Sequence, residues 1–433
     1  MIVRTIEVIE GVDFALSNAD AERLRAAVEL LRLQLRPSFK LLYEQGGLLR
    51  LQNVLGTIDL GRGLTIQVSP KVSTNEDWAT AVVSLLTGDE GIHIAGERRA
   101  GTSRTHATLL DVLADIYLNR LERAFRQEGP IAIMERRKSE LPYLQGTLDV
   151  SRWAQTALWR PHIFPVSRTL LVSDNIFTQN LIFVAKALAA ASTHSRVSNG
   201  LRRLVRDLAP GSGSNGTSSQ TRAGSALPEQ WSAYKPAWSL ANAILSKTSL
   251  LGAAGHHTGF GLAVEGWPLL ETLLERTLRS LVAVAARQGR ALTYQMQSKV
   301  QLLSPVGVGR AFNPSADALL VEEGRVLAAF EAKYVAFDQR VPERGHIYQA
   351  LSTAAACQAP VSVLIYPAAF PHQVWDTCGF GDTPRKLVAV GLDLFKYRSP
   401  VQAESQAIEL LTFLDGVDAE RDSASDASVA SSP

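Results

Sequence analysis

The segment that decides the fold runs from Pro314 to Lys333 and reads PSADALLVEEGRVLAAFEAK. Two apolar runs, 316–321 and 326–330, flank a Glu-Glu-Gly turn, which is the pattern of a β-hairpin. Asp317 stands at the start of the first predicted strand and Glu331 follows the end of the second. Because the strands of a hairpin run antiparallel, both carboxylates are predicted to lie at the same end of it.

The charged residues at this end of the hairpin are suited to phosphodiester chemistry. Glu331 and Lys333 are two residues apart, so they project from the same face of a strand. Two carboxylates and an ammonium group on one face can hold a hard divalent cation and position a water for attack on a phosphodiester. An exposed strand end with salt bridges explains the same residues equally well, since an acid two residues before a lysine is expected by chance in a chain of this composition.

Periodic patterns on both sides of the hairpin predict a compact α/β domain with a mixed sheet over residues 230–414. Apolar residues at helical spacing predict helices, and continuous apolar runs predict buried strands. The predicted elements around the hairpin are helices at 267–286 and 342–357 and strands at 361–366 and 387–392. A last helix is predicted to end near Leu414, and the acidic segment 415–433, rich in Asp, Ser and Ala, is predicted to be disordered.

The first half of the chain has a different character and predicts an α+β region. Residues 1–100 combine one helix with four short strands separated by glycine turns, which favours a small sheet or partial barrel. Residues 101–208 are predicted to form a helical middle region with a central loop and strand segment. Residues 209–229 are rich in Gly and Ser, a composition typical of a linker or loop.

Composition and charge exclude several classes of protein. With 433 residues, 46% of them hydrophobic, the chain is long and apolar enough for two or three packed domains. Its 44 Lys and Arg against 42 Asp and Glu give a net charge of +2, which excludes binding to nucleic acid by bulk charge. Five acids and one base lie after residue 414, so the rest of the chain carries 43 bases and 37 acids, a net charge of +6.

Absent motifs narrow the chemistry further. The sequence contains no G-x-x-x-x-G-K-[ST] phosphate loop, so the chain is expected to hold no nucleotide by itself. It also contains no H-E-x-x-H zinc motif and no G-x-S-x-G nucleophile elbow. No apolar run approaches the length that spans a bilayer, and the N-terminal stretch does not have the pattern of a signal peptide. These features predict a cytoplasmic protein that does not contact a membrane.

A series of short segments accompanies the hairpin pattern. Together with Asp317 and Glu331-x-Lys333, which resemble the PD-(D/E)xK nuclease signature, they resemble the McrC family of endonuclease subunits from McrBC 5-methylcytosine restriction systems. Two departures are the spacing within Pro314-Ser-Ala-Asp317 and Thr353, where a tyrosine is usual in this nuclease class. The segments, in family order, are GTIDLG at 56–61, LTIQVSPK at 64–71, LQGTL at 144–148, DN at 174–175, LLE at 269–271, IYQ at 347–349 and LIYP at 364–367.

The resemblance implies a restriction-endonuclease-like domain that uses Mg²⁺. It implies that Asp317, Glu331 and the carbonyl of Ala332 bind the metal. It also implies that Lys333 orients the attacking water or stabilises the charge that develops on the phosphate.

Four further sites keep two interpretations each. Glu271, on the helix that opens the nuclease domain, is expected to complete the metal shell or to be a surface carboxylate. Gln349 is expected to fix Lys333 or a phosphate, or to be an amide on a helix surface. Lys71 lies near DNA or a partner by the resemblance, whereas an ordinary turn lysine is the simpler interpretation. The run from Arg136 to Lys138 is a solvated charge cluster or a phosphate contact.

The resemblance also implies partners and a division of labour. The expected partner is an McrB-like AAA+ GTPase oligomer that recognises modified double-stranded DNA and translocates, while this chain cuts and stimulates GTP hydrolysis. The N-terminal part, with the domain at 1–100, is expected to dock on that partner. Two other functions stay open, namely a non-enzymatic activator of an AAA+ ring with a decayed nuclease fold, and a standalone nuclease of the same superfamily in DNA repair.

Overall fold

The chain is organised as two compact units. One unit combines Met1–Val112 with Lys247–Pro433, and the other is Leu113–Ser246. Of the predicted domains, 1–100 and residues 247–414 fall in the first unit, whereas 230–246 fall in the second. The computed structural model describes residues 4–35, 39–72, 78–87, 109–192, 194–208, 226–247, 249–251, 261–304, 312–337, 340–378 and 385–429.

The N-terminal part of the first unit is a set of short strands packed on one helix. Leu24, Val28 and Leu31 recur at helical spacing on that helix and are buried against the strands. The side chain of Ser17 caps it, since its Oγ accepts a hydrogen bond from the backbone N–H of Asp20 at 3.2 Å. The elements are β1 (Arg4–Ile9), β2 (Asp13–Phe14), α1 (Asn18–Leu35), β3 (Leu42–Gln45), β4 (Leu48–Leu51), β5 (Leu55–Asp59), β6 (Leu64–Ser69) and α2 (Trp78–Thr87).

The second unit joins helices to a small antiparallel sheet. The predicted capping cluster is confirmed, because the side chain of Asn175 accepts hydrogen bonds from the N–H groups of Phe177 and Thr178 at the start of a helix. The predicted linker 209–229 lies outside the described residues up to residue 225. The elements are α3 (Leu109–Glu128, which enters from the first unit), β7 (Ile133–Leu141), β8 (Thr147–Leu148), α4 (Val150–Thr156), β9 (Phe164–Val172), α5 (Ile176–Ala191), α6 (Ser195–Leu208) and α7 (Lys235–Lys247), with a 3₁₀ turn at Glu229–Tyr234.

The C-terminal part of the first unit supplies the large mixed sheet. Both predicted helices and both predicted strands around the hairpin are present, and two strands that sequence patterns did not predict complete the sheet edges. The elements are β10 (Ser249–Leu251), β11 (Gly261–Val264), α8 (Trp267–Arg287), β12 (Leu292–Lys299), β13 (Ser315–Glu322), β14 (Arg325–Ala332), α9 (Arg344–Ala356), β15 (Val361–Tyr366), β16 (Gln373–Thr377), β17 (Arg385–Gly391) and α10 (Pro400–Val429), with a 3₁₀ turn at Leu394–Lys396.

The six-stranded sheet has the order β12-β13-β14-β15-β17-β16. Its first three strands are antiparallel, β14, β15 and β17 are parallel, and β16 is antiparallel at the far edge. The mixed sheet predicted from the sequence is therefore confirmed. Glu323 and Gly324, the two turn residues of the β13–β14 hairpin, both have positive φ angles, of 50° and 82°, as a tight two-residue hairpin turn requires.

A second sheet links distant parts of the chain. Its order is β1-β6-β5-β11-β10, and β11 pairs antiparallel with β5 through Leu262 and Thr57. Ala263 on β11 is buried in the core that α1 forms with the N-terminal strands. Strand pairing and burial across about 200 residues of sequence connect the N-terminal strands to the C-terminal part of the first unit.

The C-terminal helix is longer than the sequence predicts. It continues from Pro400 to Val429 rather than ending near Leu414, so the segment predicted to be disordered is helical up to residue 429. The sequence contains no proline between 401 and 429, and a helix satisfies its backbone groups internally without further burial. Within the described part of the chain, no helix is long and apolar enough to cross a membrane.

Candidate active site

The hairpin brings the predicted carboxylates together at the edge of the six-stranded sheet. Asp317 lies near the start of β13, and its Oδ2 accepts a hydrogen bond from the backbone N–H of Ala332 at 2.7 Å. Glu331 lies near the end of β14 and is only 4% exposed. The Asp317 side chain is thus fixed to the residue next to Glu331, as the antiparallel pairing predicts.

Lys333 and Gln349 complete this group of side chains. The Nζ of Lys333 lies 2.7 Å from Oε1 of Glu331 and donates to Oε1 of Gln349 at 2.8 Å. The Nε2 of Gln349 donates to the same Oε1 of Glu331 at 2.5 Å. Gln349 projects from α9, and it fixes Lys333 rather than lying free on a helix surface. Of its two interpretations, the one that places it beside Lys333 agrees with the structure.

Glu271 reaches the same site from α8 through an intermediary. The Nε2 of Gln297 donates to Oε1 of Glu271 at 3.1 Å and to Oδ1 of Asp317 at 3.4 Å. Sequence patterns did not point to Gln297, which lies within β12 at a positive φ of 50°. Positive φ is unfavourable for a residue with a side chain, so the backbone at Gln297 is strained where its amide lies between the two acids.

The electrostatics of the site are those of crowded, poorly solvated acids. Burial raises the pKa of Glu271 to about 7, and the nearby charges of Asp317 and Glu331 raise it too. Burial also raises the pKa of Asp317, against the hydrogen bond from Ala332 and the charge of Lys333. The pKa of Glu331 is raised by burial and then by Asp317, while Lys333 lowers it. The single positive charge of Lys333 cannot neutralise three neighbouring carboxylates.

The donor set fits a hard divalent cation. Oε2 of Glu331 is buried and has no hydrogen-bond partner, although Oε1 has two. Carboxylate and carbonyl oxygens of Asp317, Glu331 and Ala332 are the ligand types that Mg²⁺ prefers. Among the described residues, no group of three or more His, Cys, Asp or Glu side chains could hold a metal ion, and Gln297 links Glu271 to Asp317.

The remaining candidates lie elsewhere. Lys71 lies in a turn after β6, as the simpler interpretation predicts, with its Nζ 3.8 Å from Oε1 of Glu10 and 4.9 Å from the centre of the Tyr334 ring. The basic run 136–138 lies on β7 of the second unit, where Arg137 pairs with Glu135. This environment agrees with the interpretation of the run as a solvated charge cluster. A phosphate contact by the run stays a prediction.

Comparison with known proteins adds the family. A model of McrBC 5-methylcytosine restriction system components matches residues 49–367, which is more than half of the chain. The chain belongs to this family. The matched segment contains Asp317, Glu331, Lys333 and Gln349, and the resemblance to McrC read from the sequence is confirmed. No curated protein matches the chain.

Two solved structures from Thermococcus gammatolerans are similar to this family member. The first is a half-complex from a tetradecameric assembly of McrB AAA+ hexamers with bound McrC, with a TM-score of 0.62, 14% sequence identity and coverage of 94% of this chain and 100% of that one. The second is the McrBC complex of the same organism, with a TM-score of 0.46, 16% identity and coverage of 64% and 88%. The first likeness shows that the fold extends over nearly the whole chain.

Proposed function

We propose that this chain is the Mg²⁺-dependent endonuclease subunit of a modification-dependent restriction system, and that 230–414 holds a PD-(D/E)xK nuclease domain. The observation that carries the proposal is the convergence of Asp317, Glu331 and Lys333 at one sheet edge, with a buried Glu331 oxygen that has no partner. An unsatisfied buried oxygen is costly, so a cation bound by Asp317 and Glu331 would supply the partner that this oxygen lacks.

In this proposal the protein side chains hold, orient and neutralise. Asp317, Glu331 and the Ala332 carbonyl would hold Mg²⁺, which supplies positive charge for the phosphate and a more acidic water. Gln349 fixes the ammonium group of Lys333 next to Glu331. From there Lys333 stabilises the charge that develops on the phosphate oxygens. Glu271, which Gln297 links to Asp317, would receive a proton at its carboxyl oxygen.

The proposed partners are double-stranded DNA and an AAA+ GTPase. The similar solved structure is an assembly of McrB AAA+ hexamers with bound McrC, and this chain has no phosphate-binding loop of its own. In the proposal the partner recognises 5-methylcytosine and translocates, and this chain stimulates its GTP hydrolysis and cuts. A body with a net charge of +6 before residue 415 suits a subunit whose partner provides most of the affinity for DNA.

Docking by 1–100 stays part of the proposal, and we add to it a docking surface in the second unit. Leu158 and Trp159 follow α4 and are 88% and 84% exposed, and no residue of α4 itself is buried. Large exposed apolar side chains close together are a feature of protein interfaces. Replacing both Leu158 and Trp159 with Ser is expected to abolish GTPase stimulation while leaving the unfolding temperature of the chain unchanged.

The test of the nuclease function is cutting of 5-methylcytosine DNA by the full chain with its GTPase partner, GTP and Mg²⁺. Lys333→Ala is expected to slow cutting by about 100-fold or more, since it removes an oriented charge from the site. Lys396→Ala is the matched control, because Lys396 is an exposed lysine of the same unit that pairs only with Asp393 among the contacts of the structure. Equal cutting by wild type and Lys333→Ala would refute the site.

Two alternatives are separated by the same reaction. A non-enzymatic activator would stimulate GTP hydrolysis without Mg²⁺-dependent cutting in any variant. A standalone repair nuclease would cut unmodified DNA without the partner or GTP. The complete Asp317, Glu331 and Lys333 set and the unpaired Glu331 oxygen favour cutting over activation alone.

A further inference from the structure

A buried polar cluster includes the residue that follows Lys333 of the proposed cutting site, within the same unit. Its centre is Tyr334, the residue after Lys333, whose side chain is buried. We call it the Tyr334 cluster. Its members lie at the ends of N-terminal strands and just after β14, and they are Glu10, Asn53, Lys71 and Tyr334.

Glu10 holds this cluster together. It follows β1, is 0% exposed, and both of its carboxyl oxygens are used. Its Oε1 accepts from the backbone N–H of Asn53 at 2.7 Å, and its Oε2 accepts from the hydroxyl of Tyr334 at 2.9 Å. Lys71 supplies the opposite charge at 3.8 Å and lies over the Tyr334 ring. A buried acid with such a complete set of partners holds its neighbours in one arrangement.

The cluster holds the backbone on which Lys333 stands. The N–H of Lys333 donates to the carbonyl of Ile365 at 2.7 Å, and the N–H of Val335 donates back to the carbonyl of Lys333 at 2.8 Å. Tyr334 is therefore the central residue of a tight turn that ends the catalytic strand. When the Tyr334 hydroxyl is bonded to Glu10, this turn and the direction of the Lys333 side chain are fixed from the N-terminal strands.

The same cluster also holds the helix that carries Glu271. Oδ1 of Asn53 accepts from the N–H of Trp267, the first residue of α8 and one helical turn before Glu271. The Tyr334 ring lies so close to Gly266 that a Cβ there would come within 2.5 Å of it. Asn53 has a positive φ of 55°, which asparagine tolerates better than most residues. The Tyr334 cluster thus contacts both the turn that follows Lys333 and the start of the helix that carries Glu271.

We infer that the Tyr334 cluster positions Lys333 and Glu271 for cutting, so that the N-terminal strands are part of the catalytic apparatus. The inference rests on the proposed nuclease function, and the members of the cluster are positioning residues, because none of them reaches Asp317 or Glu331 in the described contacts. It assigns Lys71 a place inside the protein instead of at a DNA-facing or partner-facing edge.

The test compares two tyrosine-to-phenylalanine variants of the full chain in the complete cutting reaction. Tyr334→Phe removes only the hydroxyl that bonds Glu10. Tyr117→Phe is the matched control, since Tyr117 is fully buried in the second unit and its hydroxyl donates to the carbonyl of Leu181 at 2.9 Å. Tyr334→Phe is expected to slow cutting by about 10- to 100-fold, because small displacements of catalytic groups have effects of that size.

Further readouts separate positioning from simple loss of stability. Tyr334→Phe is expected to raise the Mg²⁺ concentration for half-maximal cutting and to speed amide hydrogen exchange at Lys333 and in the first turn of α8, with GTPase stimulation unchanged. Tyr117→Phe is expected to change none of these. Asn53→Gly, which keeps the positive φ available but removes the acceptor for Trp267, is expected to speed exchange only at the start of α8 and to slow cutting.

The outcomes distinguish the inference from the function on which it rests. If the wild type cuts, Lys333→Ala does not, and both cluster variants cut with the wild-type rate and Mg²⁺ requirement, the inference is overturned and the nuclease function stands. If the wild type makes no Mg²⁺-dependent cut, the proposed function fails. Exchange then still decides the coupling, since unchanged exchange in Tyr334→Phe would refute it in either case.

Discussion

Two buried glutamates of this unit differ in how many partners their carboxyl oxygens have. Glu10 and Glu331 are 0% and 4% exposed, and a lysine accompanies each of them. In Glu10 both oxygens accept hydrogen bonds, whereas in Glu331 one oxygen accepts two and the other none. Burial and an ion pair are therefore shared, and the two acids differ in the unused oxygen of Glu331, which in our proposal binds the cation.

The largest expected effect lies in cutting by Glu331→Gln. The amide keeps the size and burial of the side chain but loses the charge that holds a cation, so the cutting rate is expected to fall by about 100- to 1,000-fold. The rate of linear product formation in the complete reaction measures it, with an unfolding curve to confirm a folded chain. Wild-type cutting by this variant would mean that the open oxygen has no role.

A smaller effect, on stability, is expected for Glu10→Ala. It leaves the Asn53 N–H, the Tyr334 hydroxyl and the Lys71 ammonium without their acceptor, at a cost of about 3 kcal/mol in unfolding free energy. Glu331→Ala is the comparison, and its loss should be smaller because Lys333 keeps Gln349. Denaturant unfolding measures both, and a larger loss for Glu331→Ala would reverse the distinction drawn between the two acids.

The pH dependence of stability isolates the charge of Glu10. Burial raises its pKa above the ordinary 4.5, although Lys71 and the Tyr334 hydroxyl lower it, so the folded state binds this proton more tightly than the unfolded state. The unfolding free energy of the wild type, minus that of Glu10→Gln, should be highest below pH 4.5. It should decrease as the pH rises through the raised pKa and then level off. An increase over that range would contradict the sign of the shift.

The smallest effect is expected for Asp13→Asn. Asp13 uses both oxygens to bind the guanidinium of Arg50, at 2.7 and 2.9 Å, but the pair is exposed to solvent. Solvent and salt screen such pairs, so the unfolding midpoint at 150 mM salt should stay within experimental error of the wild type, at the roughly physiological ionic strength for which screening is strong. A clear loss would show that complete hydrogen bonding is stabilising here even without burial.

The sequence predicts the elements of the site that are local and misses those that depend on distant pairing. Asp317, Glu331 and Lys333 are separated by one hairpin, and strand periodicity with turn chemistry is enough to bring them together. Gln349 follows on the next helix and could be placed by its proximity in the chain. The mixed sheet was predictable for a related reason, since its central strands β13, β14 and β15 follow one another in the chain, with only α9 between β14 and β15.

Gln297 and Tyr334 could not be predicted in this way. Gln297 adopts a positive φ inside a strand, which no periodic pattern encodes. Tyr334 reads as one more residue after a strand, and its partner Glu10 lies 324 positions away. From the sequence alone, Glu10 would be taken for a surface acid after β1, because acids are rarely buried without a partner. The local sequence does not show the partner. The pairing of β11 with β5 is one of the long-range contacts that bring these parts into one unit.

That pairing has a consequence for synthesis of the protein. One edge of β5 is covered by β6 within a few residues, but the other is completed by β11, which leaves the ribosome some 200 residues later. At about 5–20 residues per second this takes roughly 10–40 s, during which the nascent chain displays an unpaired strand edge. Such unpaired edges can pair with other chains, so a chaperone would protect the chain most in the interval before β11 is synthesised.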